Sequence, residues 1–183
     1  MQKLALIILI IIIILVLSIA AFLLYPKKKE LPQTPKLPQI SISVDFSVKN
    51  TCDGQDISPR ISWSGIPNGT KSLALIVEDP DAPSGLFVHW VIYNMDPSLK
   101  GLPEGIPKVE KVEGIGMQGM NSFGRIGYGG PCPPKGSTHR YIFRLYALNE
   151  PLPLGPGVSR NDLLKAMEGR IIATGETTVK YGR

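Results

Sequence analysis

SLALIVEDPDAP, residues 72–83, runs from an unbroken apolar stretch into an abrupt stop. Residues 72–77, bounded by proline and glycine signals, read as an interior strand. Pro80 cannot donate to a β-ladder and ends the strand, so Asp79 is held at the rim of the sheet. Two more stretches have the same character: FVHWVIYNM at 87–95, and RYIFRLYAL at 140–148. Outward from these, residues 40–44 (ISISV) alternate apolar and polar with period two, the mark of a half-buried strand, and Ile61-Ser62-Trp63 continues in that style. Residues 65–69, 101–105 and 127–136, rich in Gly, Pro and Asn, read as turns or loops. One helix is expected late: Ser159 caps it, Asp162 stands three residues on, Leu163, Leu164 and Met167 form its stripe, and Gly169 stops it. Residues 170–181 return to alternating Ile, Thr and Val. The pattern is mainly β, an antiparallel sandwich with one or two peripheral helices. There is no internal repeat, and 43% apolar content suffices for one core.

The amino-terminal part reads differently. Residues 4–25 are 22 positions without a charge, interrupted only by Ser18. As a helix they would rise roughly 33 Å, enough to cross a bilayer core. The expectation is therefore a transmembrane anchor over residues 1–25. A cleaved signal peptide, with Lys3 as its charged start and a cut after Ala20, is the alternative; the length of the apolar run favours the anchor. Residues 26–38, with four prolines and four lysines, read as an extended linker, and residues 39–183 as the folded domain. The formal net charge is +5, of which +4 lies before residue 37. The domain is nearly neutral, so no nucleic-acid partner is expected. Lysines beside an apolar helix suit anionic head groups, so the membrane, met through residues 4–25, is the expected partner. Orientation stays open. The lysines at 27, 28, 29 and 36 would hold the domain on the cytoplasmic side. The two cysteines argue for an extracytoplasmic one.

Cys52 and Cys132 each sit in a loop rather than a strand, and with two cysteines only one pairing exists. A bridge between them would pin the stretch around Pro134 to residues 56–63 and would favour an oxidising compartment. Two free thiols are the other possibility.

The chain holds only two histidines, His89 and His139, each in or at the entry of an aromatic strand. Asp79-Pro80-Asp81-Ala82-Pro83 and Gly130-Pro131-Cys132-Pro133-Pro134-Lys135-Gly136 accompany them. Imidazole N–H groups donate to phosphate or carboxylate, a carboxylate orients an imidazole, and prolines fix loop walls at low entropic cost. Taken singly, each histidine also reads as a hydrogen-bonded core residue and the DPDAP segment as a turn. A two-histidine, one-carboxylate metal site is conceivable from Asp79, His89 and His139, but no HxH, HxxxH or CxxC spacing supports it. Neither a GxSxG elbow nor a P-loop occurs. Asn68-Gly69-Thr70 fits a glycosylation sequon, and reads equally as the turn of a hairpin.

Taken in order, Asp79-Pro80-Asp81-Ala82-Pro83, Phe87-Val88-His89-Trp90 and Pro133-Pro134-Lys135-Gly136-Ser137-Thr138-His139-Arg140-Tyr141 resemble the phosphatidylethanolamine-binding protein (Raf kinase inhibitor-like) family. Asp56-Ile57-Ser58-Pro59 with Trp63, and Phe123-Gly124-Arg125 with Gly127-Tyr128-Gly129-Gly130, resemble its bacterial and archaeal branch. The resemblance spans about four-fifths of the chain, from Phe46 onward. It implies a Greek-key β-sandwich with a small anion-binding cavity at one end, lined by Asp79, Pro83, His89, Pro134, His139 and Tyr141. The ligand it implies is a phosphate-like anion or phospholipid head group. Val88 stands where eukaryotic members often carry a second histidine, and no helix follows Tyr181, so a more open pocket is expected. The leading reading is a non-enzymatic binding module without cofactor or metal. The alternative is a protease or kinase inhibitor or scaffold acting through its surface. A hydrolase using His89 and His139 is a third.

Overall fold

Ser72–Asp79 is buried at all eight positions, and the larger sheet is built around it. The structure is a computed structural model, and it describes residues 37–183 together with Ile14, Leu15 and Ser18. Among the described residues there are nine strands: β1 (Ser41–Asp45), β2 (Arg60–Ser64), β3 (Ser72–Asp79), β4 (Phe87–Met95), β5 (Gly101–Leu102), β6 (Lys111–Val112), β7 (Gly116–Gln118), β8 (Thr138–Leu148) and β9 (Ile171–Gly182). One α-helix, α1 (Arg160–Met167), lies between β8 and β9. Six strands form one sheet in the order β6-β7-β4-β3-β8-β9, and three form a second in the order β1-β2-β5. All the pairings within both sheets are antiparallel. The run β7-β4-β3-β8 is a Greek-key order, because β8 returns over a long connection to lie beside β3.

β3 is apolar on both faces because each face has a cover. Leu73, Leu75 and Val77 join Trp90, Ile92, Phe143 and Leu145 in the core that also takes Ile61 and Trp63 of β2. Ala74 and Ile76 join Val91, Tyr93 and Leu148 beneath Leu163 and Met167 of α1. Each such leucine or phenylalanine, withdrawn from water, contributes roughly 2 kcal/mol. The helix starts where a side chain can satisfy its first N–H groups: the Ser159 hydroxyl accepts from Asp162 N. β8 alternates strictly, burying His139, Tyr141, Phe143, Leu145 and Ala147 on one face.

Two expectations from the sequence are corrected. Residues 101–105 read as a turn, but Gly101 and Leu102 form β5 and pair with Ser62 and Ile61. Glycine serves close approach here: a Cβ on Gly101 would meet Ile61 O at 2.2 Å. The second correction concerns the membrane. Among the described residues no helix is long and apolar enough to cross a bilayer. α1 has eight residues and rises only about 12 Å, against the roughly 30 Å a bilayer core requires. The transmembrane helix, the single-pass membrane location and the membrane contact expected from residues 4–25 are therefore withdrawn. That segment, apart from Ile14, Leu15 and Ser18, lies outside the described residues, as do residues 26–36 of the linker expected over 26–38.

Candidate functional site

The end of β3 sets the first part of the site. Asp79 Oδ1 accepts from Asp81 N at 2.8 Å, which folds the chain sharply past Pro80. Asp81 is then clamped to the start of β8. Its carboxylate accepts from Arg140 N and Nε at 2.9 Å each and from Nη2 at 2.6 Å. Those hydrogen bonds hold the Asp81 carboxyl well below its ordinary pKa. With both flanks fixed, Asp79 Oδ2 lies 2.7 Å from His139 Nδ1, and both side chains are less than a tenth exposed. A carboxylate only accepts, so Nδ1 carries the hydrogen and Nε2 is the other polar atom of His139. Ser137 Oγ lies 3.4 Å from that Nε2 while donating to Pro134 O at 2.7 Å, so its proton is already engaged.

His89 is placed by a break in the ladder. Val77 pairs with Trp90 and Glu78 with Val88, which leaves His89 as the extra residue of a β-bulge. A bulge re-aims a side chain that strict alternation would send elsewhere. His89 Nδ1 lies 2.6 Å from Gly129 O, and since a carbonyl only accepts, Nδ1 donates. Gly129 N in turn donates to His89 O at 2.8 Å. Burial pushes the His89 pKa below its ordinary value of 6.5, against the smaller opposing pull of that carbonyl and of Asp79 and Asp56. His89 is thus neutral at neutral pH. The Tyr141 ring stands edge-on to it at 5.1 Å, and Phe87 and Phe123 complete an aromatic surround.

The third part is the wall over 130–136. Gly130 N donates to Asp56 Oδ1 at 2.6 Å, and Lys108 Nζ holds the other oxygen of Asp56 at 2.6 Å. Tyr128 donates its hydroxyl to Asn50 O at 2.7 Å. Cys52 and Cys132 form a disulfide with a Cα–Cα distance of 5.4 Å, beside a hydrogen bond from Cys52 N to Pro131 O. Together these tie the Pro-rich segment to the loop that follows β1.

The three parts enclose a cavity of about 250 Å³. Asp79, Pro83, His89, Pro134 and His139 line it; Tyr141 does not, being buried behind the two imidazoles. Phe87, Phe123 and Ser84 also line it and were not singled out from the sequence as site residues. Phe87 shares with His89 a place at the entry of β4, and Phe123 belongs to a motif used above only for resemblance. Neither carried a chemical signal of its own. Among the described residues no group of three or more His, Cys, Asp or Glu side chains is arranged to hold a metal ion.

The profile of the phosphatidylethanolamine-binding protein family matches residues 36–182. The chain belongs to that family. Among relatives, the UPF0098 protein of Aquifex aeolicus is 53% identical over 135 residues, covering 73% of this chain and 78% of its own length. The UPF0098 protein of Methanothermobacter thermautotrophicus is 50% identical over 133 residues, 73% of this chain and 87% of its own. Two solved members share the fold. The phosphatidylethanolamine-binding protein homologue CT736 of Chlamydia trachomatis superposes with a TM-score of 0.72 at 41% identity, over 80% of this chain and 99% of its own. E. coli YbcL, a member of the mammalian phosphatidylethanolamine-binding protein family, superposes at 0.69 with 32% identity, over 79% and 99%. These relatives place the chain in the bacterial and archaeal branch of the phosphatidylethanolamine-binding protein family.

Proposed function

We propose that this phosphatidylethanolamine-binding protein relative binds a small oxyanion, or the phosphorylated head group of a larger molecule, in the cavity between β3, β4 and β8, without transforming it. One observation carries the reading: the buried Asp79–His139 pair and His89 line the same small cavity although the histidines are 50 positions apart. The carboxylate holds the imidazole by Nδ1–H and leaves Nε2 as its other polar atom, and when the ring is protonated an imidazolium Nε2–H is a strong donor to phosphate. The proline and phenylalanine walls exclude water, which strengthens that bond, and a cavity of about 250 Å³ suits a phosphate with a short substituent. The names of the family and of its solved members point the same way.

The test is calorimetric titration with inorganic phosphate and with O-phosphoethanolamine. Replacing His139 by Ala should weaken binding by more than about 1 kcal/mol, the scale of a charge-assisted hydrogen bond, in a variant that keeps its circular dichroism. Undiminished affinity in both His139→Ala and His89→Ala would remove the cavity from the function.

A further inference from the structure

β9 is the longest strand among the described residues, at 12 residues, and it stands at an edge of the six-stranded sheet. An edge strand presents a row of ladder groups without partners, and proteins blunt such edges with proline, bulges or very short strands. The opposite edge is blunted by length, since β6 has two residues. β9 carries no proline and no break in register from Ala173 to Gly182. Its first part is covered: Thr174 N donates to Pro38 O and Ile40 N donates to Thr174 O, after which the chain leaves as β1 for the second sheet. Those two bonds fix which way the ladder groups point. Thr174 turns away from β8, so by alternation Glu176, Thr178 and Lys180 do too. Arg183 bonds back to Ser137 and Gly136 on the β8 side, as its opposite parity requires. Among the described residues nothing pairs with the backbone of Glu176, Thr178 or Lys180 on the open side, and all three residues are exposed.

The charges along this edge are unevenly answered. Arg144 Nε holds Oε2 of Glu176 at 2.7 Å and leaves Oε1 free for another donor. Lys180 lies opposite Arg140 in the ladder, like charge against like. Arg140 is engaged by Asp81, and Lys180 has no acidic partner among the described residues. We infer that this edge binds a second copy of the chain: two β9 strands pair antiparallel about Thr178 and continue the sheet from one copy into the other. In that register Glu176 of each copy faces Lys180 of the other, and Thr178 faces its own counterpart. Each facing pair exchanges two backbone hydrogen bonds, because all three residues turn their N–H and C=O outward. Moving the centre to residue 177 sets Lys180 against Thr174, whose groups are already taken. Moving it to residue 179 sets Glu176 against Gly182 and Lys180 against Thr178. The Thr178 register alone pairs both charges with their opposites, and two-fold symmetry makes it do so twice. The same charges repel a strand that does not offer acid opposite Lys180, so the edge is selective for its own sequence.

The experiment is sedimentation of the full chain in a non-ionic detergent, over a series from micromolar to near-millimolar concentration. The apolar run of residues 4–25 is common to every variant, so differences between variants belong to β9. The expected result is a dimer that dissociates on dilution. Lys180→Glu sets acid against acid in both facing pairs and should raise the dissociation constant by at least about tenfold. Glu176→Lys sets base against base and should do the same; the ion pair it removes is about half exposed on the Glu176 side, so the fold and its circular dichroism should persist. Mixing the two variants should restore the dimer as a heterodimer, because both facing pairs then join opposite charges. A chain that stays monomeric throughout the series would overturn the inference, the edge charges then serving to hold copies apart. A dimer indifferent to Lys180→Glu would overturn it too, as would a mixture that associates no better than either variant alone.

Discussion

Glu78 and Asp79 are neighbours in β3, each at most 3% exposed, and they point to opposite faces of the same sheet. On the helix side, Glu78 meets two guanidiniums: Arg144 Nη1 at 2.7 Å and Arg160 Nε in close contact. On the other side, Asp79 meets one imidazole and the edge of a cavity. Glu78 is fully answered by groups that cannot lose their charge. Asp79 is answered by a group whose charge depends on pH and on what enters the cavity. Burial of a carboxylate is therefore not in itself a sign of function. What sets Asp79 apart is a titratable partner and space for something else to complete the set.

The contrast can be attacked at four points. The cavity side owes its wall to a covalent tie across 80 positions, so Cys52→Ser with Cys132→Ser should cost roughly 4 kcal/mol in urea unfolding on the chain-entropy argument. On the helix side, Glu78→Gln should cost about 2 kcal/mol, short of the range for a fully buried pair because its arginines are a quarter to a third exposed and can be rehydrated. Phosphate affinity should stay within about twofold, since nothing on that face lines the cavity; a larger change would show that the two faces are coupled. Asp79→Asn should do the reverse. The amide still accepts from His139, so stability should fall by about 1 kcal/mol, while phosphate affinity drops by at least about fivefold because a neutral amide orients and polarises the imidazole less strongly than a carboxylate does. The smallest effect concerns pH. His89 has a depressed folded pKa, so below about 6.5 the unfolded chain takes up a proton first. Stability present above that pH is lost as pH falls, until the folded histidine protonates too. In phosphate-free buffer, His89→Gln should flatten that part of the stability curve; an unchanged slope would mean that His89 is not held neutral.

The mainly β, two-sheet plan was legible because long strands carry their signal in composition and period. The strict alternation of residues 139–147 and the double-sided apolarity of residues 72–77 each report the cover a strand receives. β5, β6 and β7 were not legible, since two or three residues have no period to read. The apolar run of residues 4–25 invited a length rule that the described residues do not support. In the cavity, five of the six residues named in advance are lining residues, all marked by charge, imidazole or proline. Tyr141 was grouped with His139 by the resemblance and does share its face, but it sits one layer back. The bulge at His89 left no trace in FVHWVIYNM, because a bulge belongs to the pairing of two strands and not to the composition of one.

The place of β3 in the sheet order has a consequence for how the chain is made. β4 reaches it by a short turn, but β8, its other neighbour, is synthesised about 60 residues later. At ribosomal rates of about 5–20 residues per second, the most apolar strand of the protein waits several seconds with one edge unpaired. An open, mainly apolar edge of that kind, charged only at Glu78 and Asp79, is a template for other chains. The same strand that gives the finished domain its centre is, during synthesis, its greatest hazard of aggregation. Overproduction in a host short of chaperones should reveal this first as inclusion bodies, aggravated by slower translation between residues 84 and 137.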